Sequence, residues 1–399
     1  MDNGLDVVYD LRSMDSVAVE LSVRVGSDNE PKGLEGISHF LEHMMFEGTK
    51  RRRDSRAIAN VIESLGGELN AATSNDRTFY YVKVPKKHFE VALDVLSDIM
   101  LNAMFPARGF GNNKKVILNE ISMVNDEPLY YQWIMFYREL FKGSPIGKPV
   151  YGNVEAVGAL KRSEMISYFR RNYGPGNMVL GIAGGVGEAE LGKVEDYFTL
   201  KKTSCPDNRV KAPAGKKGAR VVRETRSINQ SYMVLGYRTV PRMHEDSYVL
   251  DVIDGVLGRG QSGWMFDEIR NKRALAYNVG VDHNPELDFG MFAINVGTKG
   301  KNVDKVAGII QKNLKRLQNL SARELSEAKA FVEGNRILEL EDNLGRAEAM
   351  CFFEQAGDFR EAGKYLEKIN GVKLEDVRRV AEEYLNDDYT LTVLSEGKV

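Results

Sequence analysis

The stretch at residues 55–100 has the sequence SRAIANVIESLGGELNAATSNDRTFYYVKVPKKHFEVALDVLSDIM, and it decides the fold class. Its apolar residues first recur at helical spacing, and a glycine pair at 66–67 ends that predicted helix. Residues 68–72 and 77–84 are strand-like runs joined by a polar turn, which predicts a β-hairpin. Residues 88–100 return to helical spacing. The predicted order is therefore helix, strand, strand, helix.

A similar order recurs in the second half of the chain, which indicates two domains of similar design. The segments with the matching patterns are predicted helices at 247–257 and 264–273, strands at 276–282 and 289–296, and a long amphipathic helix at 303–320. Because hairpins alternate with helices, we expect an α+β fold in which each domain is a mostly antiparallel β-sheet packed with α-helices.

Turn-forming residues and lysines without apolar periodicity fill residues 201–218, which predicts a linker. The predicted domains are then 1–200, expected to carry the catalytic machinery, and 219–399. Two domains also agree with the length of 399 residues.

Composition excludes several classes of protein. The chain has 55 Lys and Arg against 57 Asp and Glu, so its net charge of −2 argues against a nucleic-acid partner. It has no apolar run long enough to span a membrane and no signal-peptide pattern at its start, so we expect a soluble, cytoplasmic protein. With only two cysteines and no CxxC pair, a metal site would need histidines and carboxylates.

The sequence His39-Phe40-Leu41-Glu42-His43 is the strongest chemical signal. On a helix, residues four apart lie on one face, so both imidazoles can bind the same zinc ion. Glu42 lies on the flank of that face, where its carboxylate can take a proton from water and pass it to a leaving amine. This HxxEH order is the inverzincin signature.

The ordinary alternative is that the two histidines are simply core or surface residues. A chance pair with a glutamate at that position should occur in roughly one such sequence in a hundred, which favours metal hydrolysis. A catalytic zinc site usually needs a third protein ligand. Glu120 is a candidate on the helix-like stretch at 114–121, although spacing alone is equally typical of a solvated helix residue.

These residues resemble the M16 family of metallopeptidases, the pitrilysin and mitochondrial-processing-peptidase group, in its short single-half form. The resemblance is carried by GISHFLEHMMFEGT at 36–49, GGELNAATS at 66–74, VILNE at 116–120 and EIRNKRALAY at 268–277. It implies two domains of the LuxS and mitochondrial-processing-peptidase metallohydrolase fold.

The resemblance also implies one Zn²⁺ per chain, bound by His39, His43 and Glu120, with Glu42 as the general base. The family tends to carry an acidic residue seven positions before the distal ligand, where it supports the metal ligands. This chain has Asn113 there, which can form hydrogen bonds but supplies no charge, so zinc affinity or activity is expected to be lower.

Two further sites follow from the resemblance. The segment Asn70, Ala71, Ala72 and Thr73 corresponds to an edge strand that binds substrate backbone by strand addition, although its pattern also fits an internal strand. Arg270 and Tyr277 match a pair that reaches over the metal, with Tyr277 suited to stabilise the oxyanion. Without the resemblance, both would look like ordinary surface residues.

The expected function is that of a zinc-dependent endopeptidase, which cleaves oligopeptides or unfolded segments inside a closed chamber. Since this chain has the content of one half of such a chamber, we expect a homodimer, with a heterodimer as the alternative. In the dimer, Arg270 and Tyr277 would complete the partner's site. The alternative function is a non-catalytic or weakly active partner subunit of a processing-peptidase-type heterodimer. Asn113 keeps that alternative open.

Overall fold

The computed structural model describes residues 1–203, 205–210, 212 and 218–397. The chain forms two compact units. Unit 1 comprises Met1–Ser122, Lys148–Val210 and Leu338–Ala362, and unit 2 comprises Met123–Gly147, Lys211–Ile337 and Gly363–Val399.

Unit 1 contains a five-stranded sheet with helices on both faces. Its strands are β1 (Asp6–Leu11), β2 (Ser16–Val23), β3 (Glu68–Thr73), β4 (Thr78–Pro85) and β5 (Met178–Gly184). Its helices are α1 (Ile37–Met45), α2 (Ser55–Glu63), α3 (Phe89–Asn102), most of α4 (Ala107–Asp126), α6 (Val154–Ala159), α7 (Arg162–Asn172), α8 (Glu188–Leu191), α9 (Val194–Tyr197) and α14 (Asn343–Ala356).

Unit 2 contains a second five-stranded sheet. Its strands are β6 (Arg220–Arg226), β7 (Ser231–Thr239), β8 (Ala276–Pro285), β9 (Gly290–Thr298) and β10 (Thr390–Glu396). Its helices are α5 (Pro128–Leu140), α10 (Glu245–Gly258), α11 (Trp264–Phe266) with a following π-turn (Asp267–Asn271), α12 (Val303–Arg316), most of α13 (Ala322–Glu339), α15 (Tyr365–Gly371) and α16 (Leu374–Tyr384).

The two sheets have the same topology. Their strand orders are β1-β5-β2-β4-β3 and β6-β10-β7-β9-β8, and in each sheet only the first pair is parallel among the described strands. The predicted α+β fold of two similar, mostly antiparallel domains is confirmed. The hairpin that follows the first helices of each unit contains an edge strand, β3 in unit 1 and β8 in unit 2.

Both faces of each sheet are covered, and the central strands are buried at most positions. In β2, Val19 and Leu21 point into the main core of unit 1, while Ala18 packs with Met350 and Cys351 of α14 on the other face. In unit 2, α5 covers the second face of the sheet and packs Met135 against β10. Each sheet therefore lies between two helical layers.

The units differ from the predicted contiguous domains at two segments. Residues 123–147 belong to unit 2 and residues 338–362 to unit 1. The apolar pattern of a helix indicates that one face is buried, but it does not indicate which sheet that face covers. The predicted linker at 201–218 includes residues 204, 211 and 213–217, which lie outside the described residues.

None of the helices within the described ranges combines the length and apolar character needed to cross a membrane.

Candidate metal centre

Helix α1 carries three of the predicted site residues on one flank. Its other face is buried in the core of unit 1 through apolar residues that include Phe40 and Met44. The side of α1 that is not packed into the core presents His39, Glu42 and His43. The centroids of the two imidazole rings are 4.7 Å apart. The predicted helical placement of the HxxEH sequence is confirmed.

Helix α4 brings Glu120 to the same place. Ile117 and Ile121 are buried on the side of α4 that packs into unit 1, and the Phe110 ring lies 4.7 Å from the Phe40 ring of α1. With the two helices packed in this way, Glu120 faces both histidines. This is the contact that sequence spacing alone could not establish.

The three side chains converge on one point. His39 Nε2 lies 3.7 Å from Glu120 Oε1, and His43 Nε2 lies 3.8 Å from Glu120 Oε2. One ligand atom from each residue lies within 4.8 Å of the others, and no other group of potential ligands in the described part of the chain meets this criterion. Two imidazole nitrogens and one carboxylate oxygen match the protein ligand set of a catalytic zinc site.

The protonation of His39 also fits a metal ligand. Burial, together with the neighbouring His43, lowers the pKa of His39 to about 4. The ring is therefore neutral near pH 7, as coordination requires. Its Nδ1 is buried and has no hydrogen-bond partner among the described residues.

Glu42 lies beside the ligands and is held by a neighbouring strand. The Thr73 hydroxyl donates a 2.6 Å hydrogen bond to Glu42 Oε2. Burial raises the pKa of Glu42, and the bond from Thr73 partly opposes that rise. A carboxylate with a raised pKa is better matched to accepting and returning a proton near neutral pH.

The predicted substrate strand is β3, which contains Asn70, Ala71, Ala72 and Thr73. It pairs with β4 on one side only and forms an edge of the unit 1 sheet among the described strands. The alternative of an internal strand is thus wrong. The role of this edge in substrate binding stays a prediction.

Asn113 is buried on α4, the helix that also carries Glu120. Its amide nitrogen donates to the Gly109 carbonyl at 3.1 Å and lies 3.7 Å from Met44 Sδ. No hydrogen bond joins Asn113 to His39 or His43 in the described structure. Its predicted support of the histidines stays a prediction.

Arg270 and Tyr277 lie in unit 2 and contact each other. The Arg270 guanidinium lies 4.4 Å from the centroid of the Tyr277 ring, and its Nη1 donates to the Tyr277 carbonyl at 3.2 Å. Tyr277 stands at a β-bulge of β8, and 79% of its surface is exposed. The structure thus confirms that these residues form a pair, while their part in catalysis stays a prediction.

The sequence did not indicate that Thr73 holds Glu42. The resemblance implies that Thr73 belongs to a substrate-binding strand, and it says nothing about a contact with Glu42. The alternation of side chains along β3 places the Thr73 hydroxyl toward α1, but the sequence does not specify which helix covers that face.

The chain matches two family models that together cover most of its length. One is described as Insulinase (Peptidase family M16) and matches residues 7–153, and the other is described as Peptidase M16 inactive domain and matches residues 159–332. The first of these contains all three candidate metal ligands and Glu42.

Relatives from bacteria match over nearly the whole chain. An uncharacterized zinc protease of Mycobacterium leprae is 32% identical over 410 residues, covering 99% of this chain and 90% of the relative. The uncharacterized zinc protease YmxG of Bacillus subtilis is 28% identical over 397 residues, covering 98% of this chain and 96% of the relative.

Solved structures share the fold. The crystal structure of a protease from Helicobacter pylori matches with a TM-score of 0.92 and 23% identity, covering 98% of this chain and 97% of that one. A peptidase M16 inactive domain from Pseudomonas fluorescens matches with a TM-score of 0.90 and 19% identity, over 100% and 97% of the two chains.

Proposed function

Because the chain belongs to the M16 family of peptidases, we propose that it is a zinc-dependent endopeptidase acting on oligopeptides or unfolded segments. One observation carries the proposal. The Nε2 atoms of His39 and His43 face the two carboxylate oxygens of Glu120, with Glu42 beside them.

His39, His43 and Glu120 would hold one zinc ion per chain. When bound, zinc lowers the pKa of a water ligand to about 7 and polarises a carbonyl group. The chain supplies a neutral imidazole and a carboxylate for this purpose, and α1 and α4 hold them on packed helices. Rigid elements of this kind keep ligand positions fixed.

Glu42 would handle the proton. Its carboxylate accepts a proton from the attacking water and later donates it to the nitrogen of the leaving amine. Thr73 keeps one oxygen of Glu42 in place through the 2.6 Å hydrogen bond, which leaves the other oxygen for the proton. Burial favours the protonated form that the second step needs.

The edge strand β3 would orient the substrate. An extended peptide that pairs with the free side of β3 places its backbone beside Glu42, because Thr73 ends the strand at that carboxylate. Recognition through backbone groups is independent of side-chain identity, and it requires an extended substrate. Unfolded segments meet that requirement and folded domains do not.

A dimer would complete the enzyme, with a homodimer proposed here. Arg270 and Tyr277 are ordered against each other by stacking and a hydrogen bond, and the Tyr277 ring is exposed. An exposed phenol held in this way could donate a hydrogen bond to the oxyanion of a substrate bound to a second chain.

A non-catalytic partner subunit is the second candidate. Two observations favour it: an uncharged residue at position 113, and the match of residues 159–332 to the model described as an inactive domain. The second observation concerns a region without the metal ligands. Zinc analysis separates the candidates, because the subunit would bind no stoichiometric zinc at residues 39, 43 and 120.

The test of the proposed function is Glu42→Gln. Glutamine keeps an oxygen that can accept the Thr73 hydrogen bond but cannot take up a proton. We expect peptide cleavage to fall by about 10²- to 10⁴-fold, with zinc retained. Cleavage of a mixed peptide pool is measured by mass spectrometry, and zinc by elemental analysis.

The matched control is Glu63→Gln, which makes the same change at the exposed end of α2. It should leave cleavage and zinc content unchanged. Wild-type rates in Glu42→Gln, or a wild-type protein that binds no zinc, would contradict the proposal.

A further inference from the structure

The N-terminus of α1 contacts the buried carboxyl group of Glu30, which is neither a candidate metal ligand nor the proposed general base. Glu30 Oε2 accepts a 2.7 Å hydrogen bond from the Gly36 amide, and Glu30 Oε1 accepts a 2.8 Å bond from the Ser38 amide. Only 7% of the Glu30 surface is exposed. Both oxygens are thus bound to backbone one turn before Glu42.

The helix needs an acceptor from outside its own cap position. Gly36 is the N-cap, with φ of 91°, and a Cβ atom built there would lie 2.6 Å from the Tyr151 carbonyl oxygen. A serine, threonine or aspartate cap is therefore excluded, and the free amides of the first turn require another partner. Glu30 supplies it.

Glu30 has no cation beside it within the part of the chain that the structure describes. Among the described residues it forms no ion pair, and burial raises its pKa to about 8, against the opposing effect of the two amide donors. Burying a carboxyl group without a counter-ion costs more free energy than a helix cap alone would contribute. Its two short bonds do, however, fix both the position of α1 along its axis and its rotation.

A second contact holds the same turn. The Ser38 hydroxyl donates to the Gly26 carbonyl at 3.1 Å and lies 2.9 Å from the Tyr168 hydroxyl of α7. Ser38 directly precedes His39. Both the backbone amide and the side chain of Ser38 therefore form hydrogen bonds next to the first candidate ligand. The remaining site residues of α1 follow within about one turn.

We propose that Glu30 is a positioning residue of the metal centre: by fixing the first turn of α1, it sets the distances from His39 and His43 to Glu120. This inference rests on the proposed zinc site. Zinc–nitrogen bonds are about 2.0–2.1 Å long, so a small shift of α1 past α4 would spoil the geometry of two ligands together.

The test compares Glu30→Gln with Glu164→Gln in the full chain. At position 30, a glutamine side chain presents an N–H group to one of the two amides that need an acceptor. The control removes a carboxylate that caps α7 in the same unit by accepting from the Lys161 amide. Zinc affinity is measured by chelator competition at a temperature at which both variants are folded.

We expect Glu30→Gln to raise the zinc Kd about 10- to 100-fold and to lower kcat with little change in KM. Glu164→Gln should leave all three unchanged. Glu30→Asp, which keeps the carboxyl group but is one methylene shorter, should fall between wild type and Glu30→Gln. A purely structural role would lower thermal stability without changing the zinc Kd of the folded protein.

A folded Glu30→Gln variant with wild-type zinc Kd and kcat would overturn this inference alone. Wild-type protein without bound zinc would overturn the proposed function as well, so the two failures are distinguishable. If neither variant folds, hydrogen exchange of the wild-type protein decides. The Ser38 amide should then exchange among the slowest in unit 1, and exchange at the rate of an exposed amide would overturn the inference.

Discussion

The junction between α1 and edge strand β3 in unit 1 can be compared with the junction between α10 and edge strand β8 in unit 2. Both helices follow a central strand, and both precede the hairpin that forms the edge of the sheet. In unit 1 a side-chain bond joins Thr73 to Glu42, and in unit 2 one joins His283 to Asp251.

The two junctions differ in how their charges are satisfied. Asp251 accepts bonds from Arg242 at 2.6 Å, His283 at 2.7 Å and the Tyr365 hydroxyl at 2.8 Å. Its charge is therefore neutralised by the chain itself. In unit 1, Glu120 faces two imidazoles at distances too long for hydrogen bonds, and no Lys or Arg forms an ion pair with it among the described residues.

The difference shows how one topology can serve two purposes. In unit 1 no Lys or Arg among the described residues pairs with the carboxylate beside the histidines, so that group stays available for the proposed metal. In unit 2, Arg242 supplies that cation, and the histidine is bound to the carboxylate directly. Unit 2 thus has a buried ion network at the position where unit 1 has the candidate ligand set.

The largest expected effect is the difference in zinc content and peptide cleavage between variants of His43 in unit 1 and of His283 in unit 2. We expect His43→Ala to lose stoichiometric zinc and to reduce peptide cleavage to background, because only two protein ligands remain. His283→Ala should keep one zinc per chain and should still cleave peptides. Elemental analysis and mass spectrometry of a peptide digest measure both.

Loss of zinc from a folded His283→Ala variant would contradict the proposed difference between the two junctions. A His43→Ala variant that kept one tightly bound zinc per chain would contradict it equally.

The second effect concerns the ion network of unit 2. Asp251→Asn leaves the buried Arg242 without a counter-charge, so we expect the free energy of unfolding to fall by about 3–5 kcal/mol. Asp304→Asn, which removes an exposed partner of Arg223, should cost less than about 1 kcal/mol. Denaturant unfolding followed by circular dichroism measures both, with zinc content unchanged.

The stabilisation that Asp251 contributes should decrease as the pH falls. Burial by itself raises the pKa of Asp251, but Arg242 and His283 hold it well below its usual value. The stabilisation is then fully present above the ordinary aspartate pKa of about 4 and is lost as the pH falls below it. A difference between wild type and Asp251→Asn that widened in acid would contradict this assignment.

The smallest expected effect comes from removing the hydrogen bond between Thr73 and Glu42 in unit 1. Thr73→Val removes the hydroxyl but keeps the shape, so Glu42 loses one fixed donor. A hydrogen bond to a charged group contributes about 1.5–3 kcal/mol, and we expect the fall in kcat to correspond to a free energy within that range. Thr73→Ser, which keeps the hydroxyl, should stay close to wild type. Steady-state kinetics with one peptide measures kcat, and an unchanged kcat in Thr73→Val would mean that Glu42 needs no such support.

Much of the candidate site could be predicted from local sequence. The helix with His39, Glu42 and His43 and the hairpin with β3 have strong short-range patterns, and the structure confirms both. The resemblance supplied Glu120, which helix periodicity alone left ambiguous. Local pattern was sufficient where one element carried the whole signal.

The remaining features depend on contacts between distant parts of the chain. The bond from Thr73 to Glu42 and the cap that Glu30 provides for α1 join separate elements, and neither has a sequence period of its own. The assignment of α5 and α14 to their sheets depends likewise on tertiary packing. Propensity and periodicity describe single elements, so they cannot predict such pairs.

The place of α14 in unit 1 has a consequence for synthesis of the protein. The second face of the unit 1 sheet is covered by residues of α14, including Ala347, Met350 and Cys351, which are translated near the end of the chain. Until those residues leave the ribosome, strand residues such as Val8, Ala18 and Val179 lack the α14 side chains that cover them in the folded protein. The part of the protein that carries the candidate metal ligands is made first, but the covering of its sheet is among the last parts to be made.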